Sequence, residues 1–153
     1  MEQQDNQEQQ RKGRYSATPA TRHKARHFAL QALYQWAMTG DNATDIESQF
    51  EEDQPLGNAD REYMHSLIEG VISHSEELDR TFEPFLSRPL KDLDVVDKAI
   101  LRLGTFELMY RKDVPYRVVI NESIMLAKDF AEQDSHKFVN GVLDKVAHSM
   151  GIA

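Results

Sequence analysis

Residues 93–110 read LDVVDKAILRLGTFELMY, and this stretch decides the fold. Apolar side chains recur at three- and four-residue steps from Leu93 to Leu103, and the run from Phe106 to Tyr110 covers the remaining faces. A helix that is apolar nearly all round lies inside a protein rather than at its surface. The sequence therefore predicts that this helix is the centre of the molecule and that other helices surround it.

The segments on both sides of this helix also have helical patterns. Thr18-Pro19 is a helix opening, and Gly40 follows a run of apolar residues that keeps the helical period. Weaker patterns predict a short helix near residues 46–50 and one or two helices between Leu67 and Leu86. Two more helices are predicted after Pro115 and from Ser135, and the β-like run 116–120 is interpreted as a helix start. The fold class is therefore predicted to be all-α, a bundle of about seven helices in two packed halves.

The chain length and composition indicate one helical domain with a polar tail. With 153 residues, 17.6 kDa and 40% hydrophobic residues, the chain has room for one core. We predict a disordered polar and basic tail over residues 1–18, and a helical domain over 19–150 with lobes at about 19–87 and 91–150. No run approaches eighteen apolar residues, and the first thirty contain no apolar signal core, so we expect a cytoplasmic protein without membrane spans.

Several classes of chemistry lack their usual residues. The chain has no cysteine, and its seven glycines are too dispersed for a phosphate-binding loop. His23 and His27 have the spacing of a metal pair, but the neighbouring cations would repel a metal ion. The carboxylates at residues 76–83 fit a solvated helix face better than an acid/base pair. We therefore expect no enzyme activity, no cofactor and no metal.

The charge is distributed unevenly. Residues 9–40 contain six cations and no acid, whereas residues 41–153 contain twelve cations and twenty-three acids. The helical period places the apolar residues between Ala25 and Trp36 on one side, and His23, His27 and Tyr34 on the other, with Arg26 beside them. An exposed aromatic ring bordered by cations is typical of single-stranded RNA binders. Two readings stay open: an RNA-binding surface, or a helical adaptor whose basic helix contacts an acidic protein.

Longer motifs make the chain similar to a known family. They are Ala25-Arg26, Ala32-Leu33-Tyr34-Gln35-Trp36, Lys98-Ala99-Ile100-Leu101-Arg102-Leu103, Phe106-Glu107-Leu108, Asp113-Val114-Pro115, Ile120-Asn121-Glu122, Leu126-Ala127-Lys128, and the segment 134–145, DSHKFVNGVLDK. Together these motifs, between about residues 21 and 150, resemble the bacterial transcription antitermination factors of the NusB family. The last segment is the most specific of them.

This resemblance implies a two-lobed all-α fold, no catalysis, and binding of boxA RNA together with NusE, a small-subunit ribosomal protein. It also implies that the complex lets RNA polymerase read through terminators, notably in ribosomal RNA transcription. Some members of the family dimerise when they are free. The RNA contacts that it implies are Arg22, Lys24, Arg26, Tyr34, Asp134, Lys137 and Phe138. The partner-protein contacts that it implies are Phe85, Arg88 and Asp97.

Simpler roles exist for some of these residues. Asp134 and Ser135 are expected to cap the last helix in addition to any RNA contact, and Phe138 and Phe85 could belong to the core. A third reading relates the chain to the NusB-like domain of some RNA methyltransferases. The absence of a Gly-rich nucleotide loop in this sequence disfavours that reading.

Overall fold

The computed structural model describes residues 18–153, and within them the regular elements are all helical. Two short 3₁₀ turns, Glu83–Phe85 and Leu90–Asp92, connect the fourth helix to the fifth. Seven α-helices follow one another along this part of the chain: α1 Pro19–Thr39, α2 Ala43–Asp53, α3 Arg61–Ser73, α4 Ser75–Phe82, α5 Val95–Tyr110, α6 Tyr116–Phe130 and α7 Ser135–Ser149. The predicted all-α class and approximate helix number are confirmed.

The helix boundaries follow from local chemistry. Thr18 caps α1 through a hydrogen bond from the backbone N–H of Thr21, whose hydroxyl in turn accepts from the N–H of Thr18. Pro19 is the first helical residue, and Gly40 ends the helix at a φ of 73°. Asp60 caps α3, and its backbone N–H also donates to the carbonyl of Thr21, which ties the start of α3 to α1.

Helix α5 is the centre of the molecule, as the sequence predicts. It packs against α1, α3, α4, α6 and α7. Two glycines allow its close approach to neighbours: a Cβ at Gly70 of α3 would overlap the Phe106 ring, and one at Gly104 would press on Leu143 of α7. Gly70 and Gly104 therefore fix how α3 and α7 lie against the central helix.

The buried side chains form one connected apolar core. It includes residues from all seven helices, so α5 joins the two halves through shared packing. The division into lobes at 19–87 and 91–150 stays a prediction. The predicted tail falls outside the described residues except for Thr18, which belongs to the first helix as its cap. Between residues 18 and 153, no helix is long and apolar enough to cross a membrane.

Candidate nucleic-acid interface

The start of α1 does not present all its cations to solvent. Arg26 is only 2% exposed, and its side chain lies between α3 and α5. Its Nε and Nη2 each donate a hydrogen bond of 2.8 Å to Glu107, one to each carboxylate oxygen. Tyr63 donates a third hydrogen bond to Glu107, at 2.6 Å. The RNA contact at Arg26 stays a prediction, and this geometry argues against it, because the guanidinium is buried and paired with a carboxylate.

The contacts within this buried cluster favour a charged Arg26 and a neutral Tyr63. Burial alone would lower the pKa of Arg26, but the hydrogen bonds and charge of Glu107 outweigh this effect and raise it. Burial and the neighbouring Glu107 carboxylate raise the pKa of Tyr63. The guanidinium thus stays charged and the phenol stays neutral. The cluster joins α1, α3 and α5 and holds the basic segment in place.

Arg22 lies at the edge of the same cluster and is partly accessible. Its guanidinium lies 4.2 Å from the centre of the Tyr63 ring and 3.3 Å from Asp113. The Arg111 guanidinium lies 4.6 Å from the centre of the same ring and 3.1 Å from Asp113. Arg111 is a candidate RNA contact that the sequence analysis missed. The adjacent Asp113-Val114-Pro115 motif indicates the start of a helix, and it carries no signal that Arg111 lies beside the Tyr63 ring.

The other polar residues of this segment have different surroundings. His23 lies 2.7 Å from Glu122, and Nε2 of His27 lies 3.1 Å from Asp129, so both rings face carboxylates of α6. Burial lowers the pKa of His27, and His23 lowers it further. Lys24 is exposed and contacts the side-chain oxygen of Asn58, and the described residues place no carboxylate in a salt bridge with it. Lys24 is therefore the freest cation of the described helix start.

Tyr34 is exposed, as the helical period predicts. It is 43% exposed and borders an apolar groove of about 580 Å³ between α1, α2, α5 and α6. Met38, 59% exposed, and Phe130, 37% exposed, lie along this groove, and Phe50 and Val96 form part of its base. The sequence analysis singled out neither Met38 nor Phe130 as a candidate site residue. A ring beside an apolar groove is suited to stacking against a flat ligand such as a nucleobase.

A second, polar pocket of about 440 Å³ lies near the junction of α5 and α7. Asp97 and Arg88, which the resemblance assigns to the partner, line this pocket together with Asp134 and Phe138, which it assigns to RNA. The Arg88 guanidinium lies 5.8 Å from the centre of the Phe138 ring. The structure thus brings four of the predicted site residues together, although they come from three separate stretches of the chain.

Asp97 is the most unusual residue of this pocket. It is 5% exposed, and its Oδ1 atom is buried and has no hydrogen-bond partner within residues 18–153. Burial raises the pKa of Asp97, and the charges of Asp94 and Glu132 add to this rise, whereas a hydrogen bond with Ser135 and the charge of Arg88 lower it. Further acids, Asp92, Asp94 and Glu132, line the same pocket. A cationic group supplied from outside would compensate this negative charge.

The start of α7 differs from its prediction in one respect. Asp134 has a φ of 73° and makes no side-chain capping hydrogen bond, so the predicted side-chain cap is wrong. Its carboxylate instead lies 3.5 Å from Lys137, and both side chains are exposed. Phe138 packs partly against the core, and so does Phe85. Asp134, Lys137 and one face of Phe138 are thus available to a ligand.

The polar pocket and the Tyr34 groove are neighbours. Val96 of α5 lines the groove and the next residue, Asp97, lines the pocket. At the end of α6, Phe130 belongs to the groove and Glu132 to the pocket. One ligand or two touching ligands could therefore occupy both. Arg22 and Lys24 lie further back along α1, nearer to its first residue.

Comparison with known proteins adds a family to this geometry. Residues 23–148 match the model of the NusB family. A curated relative from Tolumonas auensis, described as transcription antitermination protein NusB, is 59% identical over 134 residues, covering 88% of this chain and 97% of the relative. A protein of the same description from Aeromonas hydrophila is 61% identical over 132 residues, covering 86% and 96%.

Solved structures show the same fold. Thermotoga maritima NusB is 34% identical and superposes with a TM-score of 0.71, covering 83% of this chain and 90% of that one. A crystal structure of antitermination factors NusB and NusE in complex with dsRNA contains a chain 31% identical to this one. That chain has a TM-score of 0.76, with 85% of this chain and 98% of that chain covered.

Proposed function

The chain belongs to the NusB family of transcription antitermination proteins, and we propose that it acts by binding single-stranded boxA RNA together with NusE. It is an antitermination protein rather than an enzyme. The observation that carries the proposal is the exposed Tyr34 ring on an apolar groove that adjoins a pocket with a partly uncompensated carboxylate. We propose further that the pair promotes read-through with RNA polymerase in ribosomal RNA transcription.

The RNA is held by stacking and by a few exposed cations. Tyr34 stacks a splayed base over the groove, and Phe138 offers a second ring at the lining of the polar pocket. Lys24 and Lys137 contact phosphate, and Arg22 and Arg111 do so at the edge of the Tyr63 cluster. Arg26 contributes indirectly, because its pairing with Glu107 fixes the part of α1 that bears these cations. It is a positioning residue.

The partner protein docks at the polar pocket. Its acids surround Arg88, and the buried Asp97 oxygen has no hydrogen-bond partner inside the described chain. A basic side chain of NusE would satisfy this oxygen and neutralise the pocket, and Phe85 lies in the same connection before α5. Since Asp134 and Phe138 belong to the pocket, docking there also shapes the RNA surface. RNA and partner should therefore strengthen each other's binding to the same extent.

A second candidate function is a helical adaptor that binds protein only. It is favoured by one observation: Arg26 pairs with an acid of its own chain, and His23 and His27 face carboxylates. Under this alternative, the Tyr34 groove takes an apolar segment of a partner. Without a partner, a second copy would cover the same exposed groove, which fits the dimerisation that the resemblance implies for some relatives.

The test is a competition experiment with the purified complex of this chain and NusE. Labelled boxA RNA is displaced by unlabelled boxA, by a scrambled single strand and by a boxA duplex. We expect boxA single strand to compete best, with a salt slope near −3 if about four phosphates are neutralised. Equal competition by the scrambled strand would contradict sequence-selective RNA binding, and no binding of the labelled boxA RNA would leave the adaptor function.

A further inference from the structure

A group of metal-ligating side chains lies between α2 and α3, away from the proposed RNA surface. Each helix contributes two residues one turn apart: Glu47 and Glu51 from α2, and His65 and Glu69 from α3. Residues four positions apart in a helix lie on the same face. Helices α2 and α3 pack against each other, so these two faces meet at the edge of the core.

The geometry is compact enough for an ion. One ligand atom from each of Glu47, His65 and Glu69 lies within 4.8 Å of the other two. Around a tetrahedral Zn²⁺ with bonds of about 2.0–2.2 Å, the ligand atoms lie about 3.3–3.6 Å from one another. Small side-chain rotations would therefore bring the three atoms into coordination without moving the helices.

The charge of the site also favours a cation. Glu47 is 13% exposed, and its Oε1 atom is buried without a hydrogen-bond partner in the described chain. Its other oxygen lies 2.7 Å from Nδ1 of His65. Burial raises the pKa of Glu47, the hydrogen bond and charge of His65 lower it, and the charges of Glu69 and Glu51 raise it again. One imidazole thus faces several carboxylates.

We propose that Glu47, His65 and Glu69 form a binding site for a divalent transition-metal ion of the Zn²⁺ class. One nitrogen and two carboxylate oxygens suit Zn²⁺, Co²⁺ or Ni²⁺ better than Mg²⁺, which prefers an all-oxygen shell. The bound ion would join α2 to α3 across the loop 54–60. Because the ligands converge only in the folded chain, binding stabilises the fold.

Calorimetric titration of the full-length chain with ZnCl₂ tests the proposal. We expect one saturable equivalent, weakened about tenfold or more by His65→Gln and by Glu69→Gln. The matched control is His148→Gln. His148 is as exposed as His65 and lies 3.6 Å from Asp144 one turn away, but within residues 18–153 no third ligand atom converges on this pair. His148→Gln should bind Zn²⁺ as wild type does.

Thermal unfolding supplies the second readout. ZnCl₂ should raise the Tm of wild type and of His148→Gln, but it should leave the Tm of His65→Gln nearly unchanged. MgCl₂ should have little effect on the Tm of any of the three proteins. Three results overturn the proposal: no saturable Zn²⁺ step, a step that His65→Gln leaves intact, or a step lost instead in a His23→Gln, His27→Gln double variant. The last would assign binding to the histidine pair of α1.

Discussion

The two halves of α1 differ in how they use their polar and aromatic side chains. In the first half, Arg26 pairs with Glu107, and His23 and His27 face carboxylates of α6. In the second half, Tyr34 and Met38 project over an open groove. Arg26 in the first half is therefore fixed by the fold, while Lys24 and part of Arg22 stay accessible, and the second half presents a ring over the groove. Part of the charge that is most conspicuous in the sequence is thus structural.

The largest expected effect comes from breaking the buried pair. Arg26→Ala should lower the free energy of unfolding by about 3–5 kcal/mol, because it leaves the Glu107 carboxylate buried without its cation. Replacing both residues, in Arg26→Met with Glu107→Leu, should recover most of this loss, since no uncompensated charge remains. Urea unfolding of the two variants and wild type measures both changes.

RNA binding by a variant that still folds shows whether Arg26 contacts phosphate or only stabilises the fold. Arg26→Gln removes the charge but keeps an N–H donor that can reach Glu107. If Arg26 contacted phosphate, its loss as a ligand would change the salt slope by about 0.7. We expect lower stability with an unchanged slope. A changed slope with unchanged stability would contradict the structural role.

The second prediction concerns the other half of the helix. Tyr34→Ala should weaken RNA binding, measured with NusE present, by about 1–3 kcal/mol through lost stacking. Its stability should change by less than about 0.5 kcal/mol, because the ring is exposed. Tyr34→Phe keeps the stacking face and should bind as wild type does.

Tyr110→Ala is the matched control for this prediction. Tyr110 is 43% exposed, as Tyr34 is, but it stacks on Phe106 and donates a hydrogen bond to Glu77 away from the groove. Its removal should leave RNA affinity unchanged. Equal RNA affinity of Tyr34→Ala and wild type would contradict the proposed place of the RNA.

The contrast between Arg26 and Tyr34 shows what the sequence could and could not predict. Helical periodicity correctly placed Tyr34 outside and the helix 95–110 at the centre, because both follow from the chain's local apolar pattern. The same reasoning placed Arg26 beside the exposed group, although Arg26 also shares a helix face with Leu30 and Leu33, four and seven residues on, and is buried with them. Glu107 is 81 residues away, and only the tertiary fold brings it to Arg26.

The polar pocket could be predicted only through the family resemblance. Arg88, Asp97 and Asp134 belong to separate segments with no common period, so their meeting depends on the packing of α5 against α7. The sequence does not predict the unpartnered oxygen of Asp97, because an aspartate near a helix start is normally an exposed capping group. Asp134 likewise has the sequence of a cap, but its backbone adopts a left-handed conformation.

The smallest expected effect is a pH dependence from His27, in the first half of α1. Burial lowers the pKa of His27 below its unfolded value, and His23 lowers it further, while Asp129 and Glu122 oppose the shift. The unfolded chain then binds more protons at this ring, so stability rises with pH and is lost as the pH falls below about 6.5. His27→Gln should therefore flatten the pH dependence of the free energy of unfolding between about pH 5 and 7.

His136→Gln, on α7, controls for the loss of a histidine elsewhere. An identical pH dependence in His27→Gln and wild type would contradict this prediction. It would mean that the Asp129 and Glu122 carboxylates fully offset the burial of the His27 ring, so that the ring is protonated as readily as one on an exposed surface.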